Sequence, residues 1–107
     1  MRQEVLGSIS QDHPALAGHF PGNPVVPGVI LLTELLRAVE EQLHWARGPV
    51  TVTSMKFMRL LRPSEPFTLL LEPLSEREVS FAVMRENDRI AAGTFRRNVP
   101  VIEQDQS

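Results

Sequence analysis

The chain has no cysteine among its 107 residues, which removes disulfides, thiolate nucleophiles and cysteine-based metal sites together. It has no apolar run near the roughly 18 to 20 residues that a membrane-crossing helix needs, and its opening, Met1-Arg2-Gln3-Glu4-Val5-Leu6, lacks the apolar centre of a secretory signal. A cytoplasmic protein without a membrane span is therefore expected. Neither sign of charge is in large excess: a formal net charge of −2 lacks the basic footprint of a nucleic-acid binder. The three histidines, His13, His19 and His44, stand at no metal-ligand spacing, so no metal and no cofactor is expected.

What is present suits one folded domain, since a single core usually serves about 100 to 150 residues. Residues 1–98 are assigned to it, and the polar, acidic end at 99–107 reads as a frayed tail. Residues 3–9 read as a first strand, with Val5 and Ile9 on one face. Between Gln11 and Pro27, four prolines and two glycines interrupt the chain too often for a helix or a strand, so a long structured loop is expected.

From Gly28 the pattern changes to a helix, which should run to Trp45 or Ala46 before Arg47-Gly48-Pro49 stops it. At 100° per residue, Val29, Leu31, Leu32, Leu35, Leu36, Val39 and Leu43 cover about half of its circumference. Glu34, Arg37, Glu40, Glu41 and His44 lie outside that arc. Four strand-like runs follow, at 50–60, 66–72, 78–86 and 89–97. Phe67, Leu69 and Leu71 alternate with polar or outward positions, as do Val79, Phe81 and Val83, which marks half-buried antiparallel strands. A phase shift between Val50/Val52 and Met55/Phe57 predicts a bulge near Ser54, and Asn87-Asp88 is expected to make a hairpin turn. Strand, loop, one helix and four strands predict an α+β architecture, a curved antiparallel sheet wrapped round one central helix. Such a layout leaves apolar helix and edge-strand surface to cover, which pairing with a second copy or a relative would do.

The chemistry concentrates where the loop meets the helix. A loop ending in Pro27-Gly28 and opening directly into a helix points free backbone N–H groups and the positive end of the macrodipole at one place, where an oxyanion can be held. Gly28 allows a ligand close to the backbone, and an imidazole on the same loop could act as a base near neutral pH. A base beside an oxyanion donor is what removal of a proton α to a carbonyl requires.

At His19-Phe20-Pro21-Gly22-Asn23-Pro24-Val25-Val26-Pro27-Gly28 the chain resembles the bacterial (3R)-hydroxyacyl-[acyl carrier protein] dehydratases. Their motif runs His-Phe-Pro-Gly-x-Pro-x-x-Pro-Gly, then four residues, then Glu or Asp. The resemblance continues through Met55-Lys56-Phe57-Met58-Arg59-Leu60-Leu61-Arg62-Pro63, and its Gly-His-Phe-Pro-Gly and Val-Pro-Gly-Val elements are similar to the short dehydratases of aryl-polyene pathways. It implies a hot-dog fold, paired subunits, and removal of water from a 3-hydroxyacyl thioester on an acyl carrier protein to give the trans-2-enoyl thioester. By position it implies that His19 takes the C2 proton and the Gly28 N–H holds the thioester oxygen. It implies further that Phe20, Pro21, Val26 and Pro27 shape the substrate tunnel.

One position departs from the motif. The family's helix carboxylate falls fourteen residues after the histidine, where this chain has Thr33, with Glu34 one step later. One step is 100° of helix, so Glu34 does not share that direction, and a threonine hydroxyl does not deliver a proton as a carboxylic acid does. Glu34 is either a shifted acid or an exposed partner of Arg37. The resemblance also implies that histidine and acid of one site come from different subunits, so either a homodimer or a heterodimer with a paralogous subunit is expected, the latter supplying the missing carboxylate. Two other functions stay open: a non-catalytic subunit that binds acyl thioesters or stabilises an active relative, and a hot-dog thioesterase. Lys56, Arg59 and Arg62, and separately Arg96 and Arg97, are either solvated strand residues or a patch for an acidic partner.

Overall fold

The alternation of large apolar side chains along residues 67–71 and 79–83 becomes one face of a sheet. In a computed structural model, which describes residues 2–16, 25–46 and 48–98, the elements are β1 (Gln3–Gly7), α1 (Gly28–Gln42), β2 (Val50–Phe57), β3 (Phe67–Pro73), β4 (Glu78–Arg85) and β5 (Asp88–Arg97). A short 3-10 turn at Pro14–Leu16 lies within the proline-rich loop. The tail at 99–107 lies outside the described residues. The strands form a single antiparallel sheet in the order β1-β3-β4-β5-β2. Among the described residues no helix is long and apolar enough to cross a membrane.

Register explains the core. Leu69 faces Val83, which faces Ala91, and Leu71 faces Phe81, so inward residues of adjacent strands stand side by side. With Ile30, Leu31, Leu35, Ala38 and Val39 of α1 they make one buried cluster. Leu31, Leu35 and Val39 are at most 2% exposed, and each contributes about 1.5–3 kcal/mol by leaving water.

The sheet covers only part of the helix's apolar arc. Val29, placed on that arc by periodicity, is 65% exposed, whereas Ile30 is 5% exposed; Leu32 and Leu36 are half-buried.

The helix also ends sooner than its pattern suggested. Leu43 closes it with an N–H bond to the Val39 carbonyl, and His44 turns to φ 58, so His44 stands beyond the last turn. The reversal carries Trp45 inward to 8% exposure, where the Arg97 guanidinium sits 4.8 Å from its ring centroid. A longer helix would leave this large side chain outside.

The bulge in β2 is present. Val52 pairs with Phe95 and Ser54 with Thr94, which leaves Thr53 extra, its hydroxyl donating to the Thr94 carbonyl at 3.2 Å. A second irregularity, between Val83 and Met84, skips Ile90 on β5. The β4–β5 turn corrects the expected one by a residue: Arg85 pairs with Asp88, and the positive φ of 56° falls on Glu86, so the connecting pair is Glu86-Asn87. The strand predicted to reach residue 60 stops at Phe57, because Met58 and Arg59 both donate to the carbonyl of the bulged Ile90, at 2.8 and 3.3 Å, and leave the ladder.

Candidate active site

Pro27 opens α1 in an extended conformation (φ −64, ψ 147), and no side chain caps the first turn. Ile30 N–H bonds back to the Pro27 carbonyl at 3.0 Å, which tightens that turn. Gly28 is therefore the first helical residue, on the positive end of the macrodipole. Its missing side chain has a structural cause as well as a chemical one. A Cβ there would lie 2.6 Å from Phe57 Cζ, since the ring of the last β2 residue rests against the glycine.

A cavity of about 680 Å³ opens at this junction, larger than two others of about 400 and 380 Å³. Val25, Val26, Pro27, Gly28, Val29 and Leu31 form one side of it, and Phe57, Arg59, Leu60 and Leu61 the other. Among its described lining only Arg59 is charged, so the site is an apolar slot with one cation at its edge. That composition suits an acyl chain.

The second side is an irregular strap, residues 58–66, and its attachments are specific. Leu61 accepts a bond from Val26 N–H at 2.8 Å, two residues before Gly28. One Arg85 nitrogen, Nη1, donates both to the Leu60 carbonyl and to Glu65 Oε1, each at 2.9 Å. Glu65 Oε1 also accepts from Arg62 N–H at 2.8 Å, and Ser64, at φ 70, donates to the Ile9 carbonyl at 2.6 Å. The Arg62 N–H bond, followed by Arg85, holds the Glu65 carboxyl below the usual carboxylate range despite the opposing effect of burial.

The expected site residues divide into three groups. Val26, Pro27 and Gly28 come together on the cavity. Thr33 and Glu34 do not line it. The Thr33 hydroxyl donates to its own helix at the Val29 carbonyl, 3.0 Å away, and its side chain borders a separate groove with Leu36, Arg37, Glu40 and Glu41. Glu34 pairs with Arg37 at 3.3 Å, with side chains 28% and 59% exposed. His19, Phe20 and Pro21 lie outside the described residues. Sequence reasoning missed Phe57 as the cover of Gly28, and Glu65 and Arg85 as holders of the strap. Nothing in a strand-like run marks that its one aromatic, Phe57, will meet a glycine twenty-nine positions earlier.

Residues 2–94 match the model of the ApeI-like family, described as ApeI dehydratase. The 3-hydroxyacyl-[acyl-carrier-protein] dehydratase FabZ of Levilactobacillus brevis is 33% identical over 67 residues, covering 56% of this chain and 45% of that protein. FabZ of Mannheimia succiniciproducens is 30% identical over 78 residues, covering 65% and 52%. The chain thus spans about half the length of the curated relatives it matches. Among solved structures, the dehydratase heterocomplex ApeI:P from Xenorhabdus doucetiae aligns with a TM-score of 0.74 at 16% identity, over 89% of this chain and 85% of that one. A mutant of the fluoroacetyl-CoA-specific thioesterase FlK, in complex with fluoroacetate and CoA, aligns at 0.64 and 16% identity, over 96% and 94%. The five antiparallel strands and one α-helix of the described residues thus form the hot-dog fold.

Proposed function

The chain belongs to the ApeI-like dehydratase family, and from that premise we propose that it is a dehydratase subunit converting a 3-hydroxyacyl thioester, carried on an acyl carrier protein, to the trans-2-enoyl thioester and water. One observation carries the reading: Gly28 heads α1 and lines an apolar cavity of about 680 Å³, at the end of a loop that spells the family's histidine motif.

The chemistry divides among few groups. His19 removes the C2 proton, and the electron pair left behind moves toward the thioester oxygen, where the Gly28 N–H and the helix dipole stabilise the growing negative charge. One such donor is typically worth about 10²- to 10³-fold. The pair then forms the C2–C3 double bond as the C3 hydroxyl leaves, taking one proton to depart as water. Val26 and Pro27 line the tunnel, and Arg59 at its edge suits an acidic carrier; Phe20 and Pro21 are assigned to the same tunnel by their place in the motif.

The departing hydroxyl needs an acid, and this chain does not offer one at the family position. Thr33 is bonded to its own helix and Glu34 to Arg37. Thr33 is exposed on α1 beside exposed Val29 and half-buried Leu36, and the edge strand β2 also exposes Val52 and Phe57. A second subunit covering that face would meet residue 33, and in exchange would bring its own helix residue toward this chain's His19. The favoured assembly is a heterodimer with a paralogous subunit that supplies the carboxylate. A homodimer keeps base and oxyanion donor but lacks about 10²- to 10⁴-fold of general acid help.

The test is hydration of an enoyl thioester by the chain alone and with candidate paralogous subunits. Activity should rise on reconstitution, vanish with His19→Ala, and rise in the homodimer with Thr33→Glu. Full activity of His19→Ala in every combination overturns the reading. Thr33 also favours a second reading, a non-catalytic subunit that binds acyl thioesters or supports a relative; a partner that keeps all its activity beside the His19→Ala chain establishes it. Free acid as sole product would make the protein a thioesterase.

A further inference from the structure

We propose that Arg85 and Glu65 are positioning residues for the cavity: together they set where the strap at 58–66 lies, and through the strap where the Val26–Gly28 backbone lies. This rests on the dehydratase reading for its effect on turnover, but the geometric claim stands apart from it. Neither residue lines the cavity.

The strap belongs to no helix or strand, so no ladder holds it. Its backbone is fixed at the ends, by the Ile90 carbonyl at Met58 and Arg59 and by the Ile9 carbonyl at Ser64, with one internal bond from Glu65 N–H to the Arg62 carbonyl at 3.2 Å. Between these points lie Leu60, Leu61, Arg62 and Pro63, of which Leu60 and Leu61 form the cavity wall. There the side-chain restraints are Arg85 on the Leu60 carbonyl and Glu65 on the Arg62 N–H. Both hydrogens of a single guanidinium nitrogen are used, one on the carbonyl and one on the Glu65 oxygen, so the two restraints are coupled through one group.

The consequence reaches the motif through one bond. The Leu61 carbonyl holds Val26 N–H at 2.8 Å. Val26 leads through Pro27, whose φ is fixed by its ring, into the first residue of the helix. Leu61 itself is 1% exposed and Val26 5%, so the bond joins two packed residues. Release of Leu60 shifts Leu61, and with it the segment that delivers the Gly28 N–H. A displacement of this kind misplaces an oxyanion donor without removing any reacting group.

The experiment uses the full chain in the assembly found active, with wild type, Arg85→Ala, Glu65→Ala and Arg85→Lys. Hydrogen exchange at Val26 is the first readout. It should quicken at least tenfold in both alanine variants while Leu69, Phe81 and Val83 keep their protection, and Arg85→Lys, which can donate to both oxygens, should restore most of it. The second readout is enoyl-thioester hydration, where kcat should fall at least tenfold in the alanine variants with KM changed less than threefold, and recover in Arg85→Lys. Unchanged Val26 exchange in a folded Arg85→Ala protein overturns the proposal whatever the activity. Quickened exchange with unchanged kcat overturns the link to turnover. If wild type itself hydrates no enoyl thioester in any assembly, the dehydratase reading fails, and the exchange result still judges the strap.

Discussion

Adding one methyl group at Gly28 tests the site's central contact. A Cβ at residue 28 would stand 2.6 Å from Phe57 Cζ, 3.0 Å from Cε2 and 3.2 Å from Cε1, against a comfortable carbon–carbon separation of about 3.5–4.0 Å. The ring must therefore retreat by about 1 Å, judged against that separation. It can do so, because Phe57 ends an edge strand and is 49% exposed. Tilting it off its rotamer costs about 0.5–1.5 kcal/mol. Alanine is a better helix former than glycine by up to about 1 kcal/mol, and Gly28 has no positive φ that alanine would resist. The two effects nearly offset, so Gly28→Ala should fold with a stability within about 1 kcal/mol of wild type. Activity should respond more strongly, by about 10²-fold, since the displaced ring alters the wall opposite the Gly28 N–H. Urea unfolding of Gly28→Ala, Phe57→Ala and the double variant separates the contributions. With the ring gone, Gly28→Ala should become stabilising, by up to about 1 kcal/mol. Equal effects of Gly28→Ala in the two backgrounds would refute the steric account.

A second glycine answers differently. A Cβ on Gly93 would press on the Ser54 carbonyl and lie 3.0 Å from Met55 Cα, both backbone atoms of the neighbouring strand, as well as 2.6 Å from Phe81 Cζ. Backbone cannot swing aside, so Gly93→Ala should lose about 3 kcal/mol in urea unfolding, whereas Gly48→Ala, with nothing within 4 Å, should be close to neutral. The Glu65 carboxyl gives a pH prediction. Its folded-state pKa is lowered by the Arg62 N–H and by Arg85, so its contribution is fully present above the unfolded glutamate value and is lost as pH falls through the lowered folded value. Glu65→Gln should flatten the acid limb of a stability-versus-pH curve in that window; an acid limb identical to wild type would show that the carboxylate is not held there.

Local pattern was enough for a good part of this protein. The period of two in Phe67, Leu69, Leu71 and in Val79, Phe81, Val83 determined which faces turn inward, because a strand offers each side chain one of two directions. The phase slip before Met55 located the bulge to within a residue, at Thr53. The Pro27-Gly28 step determined where the helix begins, since its consequences are those of the chain's own geometry. The histidine motif carried the family, and Thr33 and Glu34 were set in different directions by nothing more than 100° of helix.

Where two distant segments compete for one space, local pattern was not enough. The helix stops at Gln42 because Trp45 must reach the core beneath Arg97, fifty-two positions away, a demand that propensity does not express. Val29 and Ile30 are equally apolar, and only tertiary packing decides which is buried. The turn falls at Glu86 because the pairing of Arg85 with Asp88 fixes it. The strap at 58–66 reads as a strand until the bulged Ile90 carbonyl draws it out of the sheet. The sequence by itself thus determined the helix, the strand faces and the motif, all properties of neighbours along the chain. The tertiary structure decided what stands opposite the motif, namely Phe57 over Gly28 and a strap tied by Arg85, because those contacts exist only once the sheet has closed.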